Sequence, residues 1–232
     1  MKNKKLEAEL IRARLAALKV RMNPHLIANA LTSIRSMLFK DEKDAAIEYL
    51  TSLAGLIRTT FENAEKDFIS LSSEISYLTR YIEIEKLRFG DKFIFQLAVS
   101  PEIKTSEIMV PQMLFQPFVE NAMNHGLMHR VQDGVLKISL KSQDGILTCI
   151  IEDNGVGREK TKEIEMHAIT THTSLSDIIT KERILLLNKL FKNEAFSIKT
   201  IDLADQHMKP AGTRVVIQMP ALDIESWMGV LK

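Results

Sequence analysis

Two short segments hold the residue types from which a phosphate-handling site could be built. The first is Glu120-Asn121-Ala122-Met123-Asn124-His125-Gly126. It closes an apolar stretch from 109 to 119 that reads as a buried helix. The amide oxygen of Asn121 would then stand on a helix face where a hard cation could take it as a ligand. The second is Asp153-Asn154-Gly155-Val156-Gly157, a carboxylate set ahead of two glycines. Such a turn lets backbone come close to a ligand because no Cβ intervenes. Together they suggest a nucleotide pocket, with a metal-bridged phosphate end at Asn121 and a base-reading end at Asp153. Neither is specific alone: Glu-Asn-Ala is common on helices and Asp-Asn-Gly is a frequent turn, so each depends on its context.

Those two ends must be positioned by helices and strands. From 5 to 22 the chain reads as a charged, alanine-rich helix in which Ala8, Ile11, Leu15, Leu18 and Met22 recur at spacings of three and four, as in a coiled-coil seam. The same count lands on His25 and Asn29. Pro24 interrupts it and, lacking an N–H, frees the carbonyl of Val20, which predicts a kink. Helical character resumes through Leu38, and Lys40-Asp41-Glu42-Lys43 makes a polar turn. A second helix over 44–63 shows the stripe Ile47, Leu50, Leu53, Leu56, Ile57. A hairpin this narrow buries little by itself, so pairing into a four-helix bundle is its expected completion.

The section from 67 onward has a different texture. Ser72 or Ser73 could cap a helix running through Ile75, Leu78, Tyr81, Ile82 and Leu87 toward Gly90. A strand is expected over 93–99, a helix over 109–126, and a hairpin of strands 135–140 and 147–152 around Asp144-Gly145. After an irregular stretch, 158–173, come a helix over 175–191 and strands over 196–201 and 213–219. This order predicts an α+β sandwich with helices on one sheet face. The expected division is a hairpin over 1–66, a sandwich over 67–222 and a tail over 223–232 that packs locally through Trp227 and Met228.

Composition narrows the classes. A net charge of +1 on 232 residues gives no general attraction to nucleic acid or anionic lipid. The single cysteine, Cys149, lies in the apolar run 146–151 and reads as a buried, inert thiol in a reducing compartment. No apolar run approaches the roughly 20 residues that span a bilayer. Any membrane part would lie outside this chain, and the basic start could continue a membrane helix or a sensor module. The histidines form no zinc pattern: His125 and His129 are four apart without a suitably spaced acid or thiol.

At this point several segments together resemble one family. Arg21-Met22-Asn23-Pro24-His25 with Asn29, Tyr81-Ile82-Glu83-Ile84-Glu85-Lys86-Leu87-Arg88-Phe89, and Gln116-Pro117-Phe118-Val119-Glu120-Asn121-Ala122 with His125-Gly126 are similar to the LytS-type sensor histidine kinases. So are Asp153-Asn154-Gly155-Val156-Gly157 and Gly212-Thr213 ahead of a strand, and the order holds from about residue 8 to 220. The resemblance implies a dimerisation and phosphoacceptor hairpin followed by an ATP-binding domain of the GHKL type. It implies ATP and Mg²⁺ as cofactors, a homodimer, and a response-regulator receiver domain as partner. It makes His25 the phosphoacceptor, Asn121 the Mg²⁺ ligand and Asp153 the acceptor for the adenine amino group. Gly155 and Gly157 would line the base pocket, and 158–173 would be the lid, with Lys160 or Lys162 near the phosphates. His125, Gly126, Gly212 and Thr213 join the nucleotide-binding set, His125 in either a structural or a phosphate-side role. The location implied is the cytoplasm, or the cytoplasmic face of the bacterial inner membrane if a sensor precedes the chain.

The chemistry agrees with those roles. A neutral imidazole, with a reference pKa near 6.5, keeps a lone pair at pH 7 and can attack phosphorus. Leu26 stands where better-known histidine kinases carry an acid. Asn29, one turn on, could orient the ring instead, and Glu120 is a candidate to receive the proton. Two features depart from the pattern. Leu26-Ile27-Ala28 replaces the aromatics favoured after the histidine, and Ser176 stands where a glycine is expected, with Asp177 beside it. If that position needs left-handed backbone, a non-glycine costs about 1–2 kcal/mol, on the order of tenfold in nucleotide affinity. Three readings follow: an autophosphorylating histidine kinase, a non-catalytic dimeric adaptor, and an ATPase or serine kinase on the same fold.

Overall fold

The computed structural model describes residues 10–11, 14–15, 24–63, 66–90, 92–130, 133–158, 175–191 and 195–230; the side chains at 24–26, 63, 89, 175–177 and 228–230 lie outside that description. Residues 10–11 and 14–15 are helical, in keeping with the helix expected there, while most of the expected seam and the kink at Pro24 involve residues outside the described set. Two helices follow, α1 (Pro24–Phe39) and α2 (Lys43–Asn63), joined by a turn in which Asp41 takes a left-handed φ of 61°. The hairpin is thus the one expected.

Its apolar residues divide between two faces. Ala30, Ile34 and Met37 of α1 meet Ala46, Tyr49, Leu53 and Leu56 of α2 in the core. Ile47 and Leu50, expected in the same stripe, are exposed on the other side, together with Ile27, Leu31, Leu38 and Phe39. Leu31, Ile34, Arg35, Leu38 and Phe39 line a groove of about 410 Å³ on that outer face.

Strand β1 (Phe68–Ser70) leads directly into α3 (Leu71–Phe89). The cap is Ser70, not Ser72 or Ser73: its side chain accepts the Ser73 N–H at 3.2 Å. The strand places Ser70 in extended backbone, as an N-cap requires. Gly90, with φ 65°, ends the helix by donating its N–H to the Lys86 carbonyl. The buried stripe of α3 begins at Leu71, runs through Glu74, Tyr77, Leu78, Tyr81 and Ile82, and ends at Glu85, whereas Leu87 is 38% exposed.

A five-stranded sheet lies behind α3 in the order β2-β4-β5-β7-β6, with β2 (Phe93–Val99), β4 (Gly134–Gln143), β5 (Ile146–Asp153), β6 (Ser197–Ala204) and β7 (Pro210–Pro220). The β2–β4 pair is parallel and the others antiparallel. The β4–β5 turn is Asp144-Gly145, both residues left-handed (φ 53° and 74°), which suits the right-handed twist of a two-residue hairpin. One face, carrying Leu136, Ile138, Leu140, Leu147, Cys149, Ile151, Ile217 and Met219, is buried, and helix α5 (Leu175–Phe191) packs into the same core. Cys149 is the buried free thiol expected.

The helix expected over 109–126 is shorter than that. Residues 109–111 form β3 (Met109–Pro111), antiparallel to β1, and Met113 takes a left-handed φ of 56°. Pro111 and that left-handed turn break the helical path. Helix α4 (Gln116–Asn121) starts only afterwards, with Pro117 in its first turn, where proline's missing N–H costs nothing. The tail packs locally as expected. Asp223 caps α6 (Ile224–Val230) by accepting the Ser226 N–H. Trp227, 1% exposed, donates Nε1–H to the Met109 carbonyl at 3.0 Å and lies against Phe68 and Phe191. Among the described residues, no helix is long and apolar enough to cross a membrane.

Candidate nucleotide site

Helix α4 does not stop at Asn121; it widens into a π-helical turn, Ala122–Leu127, in which Met128 N–H reaches back to the Met123 carbonyl at 2.8 Å. Such turns are rare and concentrate at functional sites, because they swing side chains out of ordinary α spacing. Here the turn carries His125, half-buried, and Gly126, buried, immediately after Asn121.

Its entrance is held from both sides by buried charge. Glu74, fully buried on α3, accepts the backbone N–H groups of Met113 (2.9 Å) and Phe115 (3.4 Å). Arg183 on α5, 2% exposed, donates to the carbonyls of Gln112 and Met113. A loop whose donors and acceptors are both taken by fixed side chains has little freedom. Burial pushes the Glu74 carboxyl up to about 7 against the pull of those N–H groups and Arg183, and lowers Arg183 to about 10.

The other end of the site grows from a strand pattern. Along β5 the inward residues are Leu147, Cys149, Ile151 and then Asp153, so the apolar alternation finishes on a carboxylate, 4% exposed. Gly155 donates its N–H to Asp153 Oδ1 at 2.8 Å, and the Thr213 N–H supports the same carboxyl. Burial raises Asp153 to about 6, those N–H bonds oppose the rise, and Glu152 adds to it. At pH 7 the group is an ionised, acceptor-only carboxylate in a largely apolar wall.

Glycine here serves backbone-to-backbone approach first. A Cβ on Gly126 would lie 2.6 Å from Asp153 Oδ1, and one on Gly155 would fall 2.4 Å from the Gly126 backbone. At Gly212 (φ 127°) the Asp153 carbonyl is 1.9 Å from the Cβ position, and at Gly157 (φ 80°) the Pro210 side chain is 2.8 Å away. The glycines therefore clamp Asp153, the π turn and β7 together, a closer contact than the ligand approach that sequence alone suggested. Asn154 completes the seam: its Oδ1 accepts Val135 N–H at 2.7 Å, its Nδ2 donates to the Asp133 carbonyl, and Arg130 Nη1 donates to the Asn154 carbonyl at 2.6 Å.

The fold thus brings together Gly126, Asp153, Gly155, Gly212 and Thr213, with Gly157 one turn away and Asn121 and His125 on the adjoining helix. Burial raises the phenols of Tyr77 and Tyr81, and the half-buried Glu120 adds to both shifts. Asn29 is half-buried on α1 and its carbonyl accepts the Ser33 hydroxyl. His25 is the second residue of α1, and its ring lies outside the described side chains. Ser176 is the second residue of α5, in ordinary helical backbone, so the penalty attached to a left-handed conformation falls away. Residues 159–174, which hold most of the expected lid with Lys160 and Lys162, lie outside the described set. Arg158, at its edge, forms a two-pronged ion pair with Asp202 at 2.6 Å. His129 and His207 are exposed, while His167 and His172 are not among the described residues.

The family model described as "Histidine kinase" matches residues 13–93. "Sensor protein LytS" of Staphylococcus haemolyticus is 27% identical over 158 residues, covering 68% of this chain and 26% of that protein. These matches support a LytS-type sensor histidine kinase. "Sensor histidine kinase BtsS" of Escherichia coli is 30% identical over 150 residues, 64% of this chain and 26% of that protein. The chain therefore spans about a quarter of the length of these curated family members. Among solved structures, a histidine kinase domain from the blue-light activated histidine kinase of Erythrobacter litoralis aligns over 97% of both chains at 18% identity, with a TM-score of 0.49. The architecture itself is α+β, a helical part followed by a five-stranded mixed sheet, as the sequence led one to expect.

The residues present fit the nucleotide and metal that the family uses. Asp153 is a fixed acceptor, and Asn121 offers an amide oxygen. Among the described residues, no three His, Cys, Asp or Glu side chains form a metal site of their own. That donor set suits Mg²⁺, which commonly takes one or two protein oxygens and fills its remaining positions with phosphate and water.

Sequence alone assigned no role to Glu74, Arg183, Arg88 or Asn154. Glu74 carried a usable signal, since it occupies a position of the apolar stripe that ends at Glu85.

Proposed function

We propose that this chain is the phosphoacceptor and ATP-binding part of a two-component sensor histidine kinase. The γ-phosphoryl group of ATP passes to His25 and then to an aspartate of a response-regulator receiver domain. The observation that carries this reading is Asp153: a buried carboxylate held by two backbone N–H groups and pinned by glycines to the turn that follows Asn121.

Each residue does one job in this reading. Asp153, ionised at pH 7, accepts a hydrogen bond from an exocyclic amino group, so it selects adenine over a base that presents a carbonyl at that edge. Asn121 is the protein ligand of Mg²⁺, which when bound neutralises charge on the phosphate oxygens. His125 sits on the phosphate side of the π turn. His25 attacks phosphorus in line: the N–P bond forms as the bond to the ADP oxygen breaks, and Glu120 takes the imidazole proton. Asn29 orients the ring. Charge on the transferred group changes little, so positioning carries most of the rate.

The outer face of the hairpin belongs to a second copy of the chain. Ile27, Leu31, Leu38, Phe39, Ile47 and Leu50 are exposed, a contiguous apolar surface of the kind that marks an interface. Two hairpins joined there make the four-helix bundle that one hairpin lacks.

The test is incubation of the purified protein with γ-labelled ATP and Mg²⁺, with the label examined for acid lability. The expected result is acid-labile label that is lost in His25→Gln and in Asp153→Ala. Tight ATP binding with no label would support an adaptor, and free phosphate without labelled protein would support an ATPase; either would overturn this reading.

A further inference from the structure

Four helical elements meet at a buried polar cluster that the nucleotide site does not use. Arg88, at the end of α3, donates from Nη2 to Glu85 Oε2 one turn earlier and to Asn124 Oδ1, inside the π turn, at 2.6 Å. The Glu85 side chain is 1% exposed and that of Arg88 16%. From the hairpin, α2 brings in Tyr49, fully buried, whose hydroxyl faces Glu85, Arg88 and Ser33 of α1 and closes no hydrogen bond at normal geometry. Ser33 is itself buried and donates to the Asn29 carbonyl at 2.9 Å. A run of polar groups therefore leads from Asn29, one helical turn after His25, to Asn124, the residue before His125.

An ion pair that only filled space would be a poor use of buried charge, because apolar replacements of such pairs are often as stable. Two features say this pair does more. Arg88 uses the same nitrogen to hold a side chain of the π turn, a geometry that needs support from outside the helix. The Asn124 amide nitrogen is buried without a partner, so the bond from Arg88 is what sets the orientation of that side chain.

We infer that Arg88 is a positioning residue: held by Glu85, it sets through Asn124 the rotation of the turn that follows Asn121 and carries His125. The end of α3 and the phosphate end of the site then move as one body, and a displacement of α3 at Arg88 reaches the nucleotide. The functional consequence rests on the kinase reading; the mechanical one does not.

The experiment has two arms on the whole chain. In the first, affinity for a fluorescent ATP analogue is measured with and without Mg²⁺, beside affinity for adenosine. Arg88→Met and Asn124→Leu each lower the Mg²⁺-dependent affinity about tenfold, the loss of one charge-assisted hydrogen bond, and adenosine binding through Asp153 changes far less. The double variant is no worse than the weaker single one, because both remove the same bond. Arg88→Lys keeps a charge against Glu85 but reaches Asn124 poorly, so it recovers thermal stability without recovering affinity. A merely structural Arg88 would lower stability and all three affinities together, or leave Mg²⁺ dependence as in the unmodified protein; either result overturns the inference.

The second arm needs no nucleotide. Amide hydrogen exchange over 122–127 speeds up in Arg88→Met and in Asn124→Leu relative to the sheet, and unchanged exchange there overturns the inference by itself. Unmodified protein that binds no ATP would sink the kinase reading, and the exchange result would still decide the role of Arg88.

Discussion

In the hairpin, Ile27, Leu31, Leu38, Phe39, Ile47 and Leu50 stay between 47% and 85% exposed, whereas at the end of β5 even a carboxylate, Asp153, is 4% exposed. The first region leaves apolar surface in water. The second places a charge where water is scarce and surrounds it with backbone donors and glycines. Each arrangement is unfavourable in an isolated chain, and each becomes reasonable once something docks there. In the proposed reading, a second hairpin covers the first. The Asp153 carboxylate holds two backbone donors and, in the proposed reading, keeps acceptor capacity for an adenine amino group; its geometry is already set before a ligand arrives, which is the condition for binding without a large ordering cost.

The largest break in that comparison comes from matched glycine substitutions. At Gly212, φ is 127° and the Cβ position lies 1.9 Å from the Asp153 carbonyl, backbone against backbone. Gly212→Ala therefore has to part β5 from β7, and the expected loss is about 4 kcal/mol or failure to fold. At Gly55, in the middle of α2, a Cβ meets nothing within 4 Å. Gly55→Ala should stabilise by about 0.5–1 kcal/mol, the helical preference of alanine over glycine. Urea denaturation of both variants reads the difference. A Gly212→Ala protein as stable as its parent would mean that the clamp around Asp153 is not rigid.

The two regions also differed in how much they disclosed beforehand. The hairpin, the β4–β5 turn and α5 were legible because each rests on local periodicity or turn chemistry, and Asp144-Gly145 is a turn wherever it occurs between strands. Asp153 was legible as a residue type. Its setting was not, because the packing of Gly126 on Asp153 and of Gly155 on Gly126 joins segments far apart in sequence. The same holds for the length of the site helix. Apolar content over 109–126 reads as one helix, but Pro111, the left-handed Met113 and the pairing of β3 with β1 divide it. Glu74 and Glu85 lie on the buried stripe of α3, where a charge implies a buried partner; the partners, Arg183 and the backbone of 113–115 in one case and Arg88 in the other, are tertiary. Ile47 and Leu50 were read as one stripe with Leu53 and Leu56 because periodicity counts apolar residues without telling which neighbour each one meets.

A smaller effect sharpens the meaning of the buried carboxylate. Asp153 sits at about 6 in the folded chain, against an ordinary value near 4. Between those values the folded protein holds a proton that the unfolded chain has released. Stability therefore declines as pH rises through that window and levels off above it. Asp153→Asn removes the decline attributable to this group and should stabilise the protein above pH 7 by on the order of 2 kcal/mol, while weakening adenine binding. Thermal melts from pH 4 to 8, paired with nucleotide titrations, test both halves. A variant less stable than its parent at pH 7.5 would show that the backbone N–H groups more than offset the burial of the charge.

The hairpin has its own counterpart in Leu31, 63% exposed on the wall of the outer groove. Leu31→Glu puts a carboxylate into a surface that a second hairpin would cover. Two copies related by symmetry would bury two such charges, so dimer dissociation should rise about fiftyfold or more. The single hairpin loses little, since position 31 faces outward. Sedimentation velocity across a dilution series reads the association, and adenosine affinity serves as the control because Asp153 is set by β5, β7 and the π turn, none of them part of the hairpin. If Leu31→Glu left the association untouched, the partner surface would have to be sought elsewhere on the chain, and the exposed stripe would lose the explanation that pairs it with the pocket. If association fell and adenosine binding fell with it, the pocket would depend on the dimer, and the contrast between an unfinished hairpin and a finished site would fail at its second term.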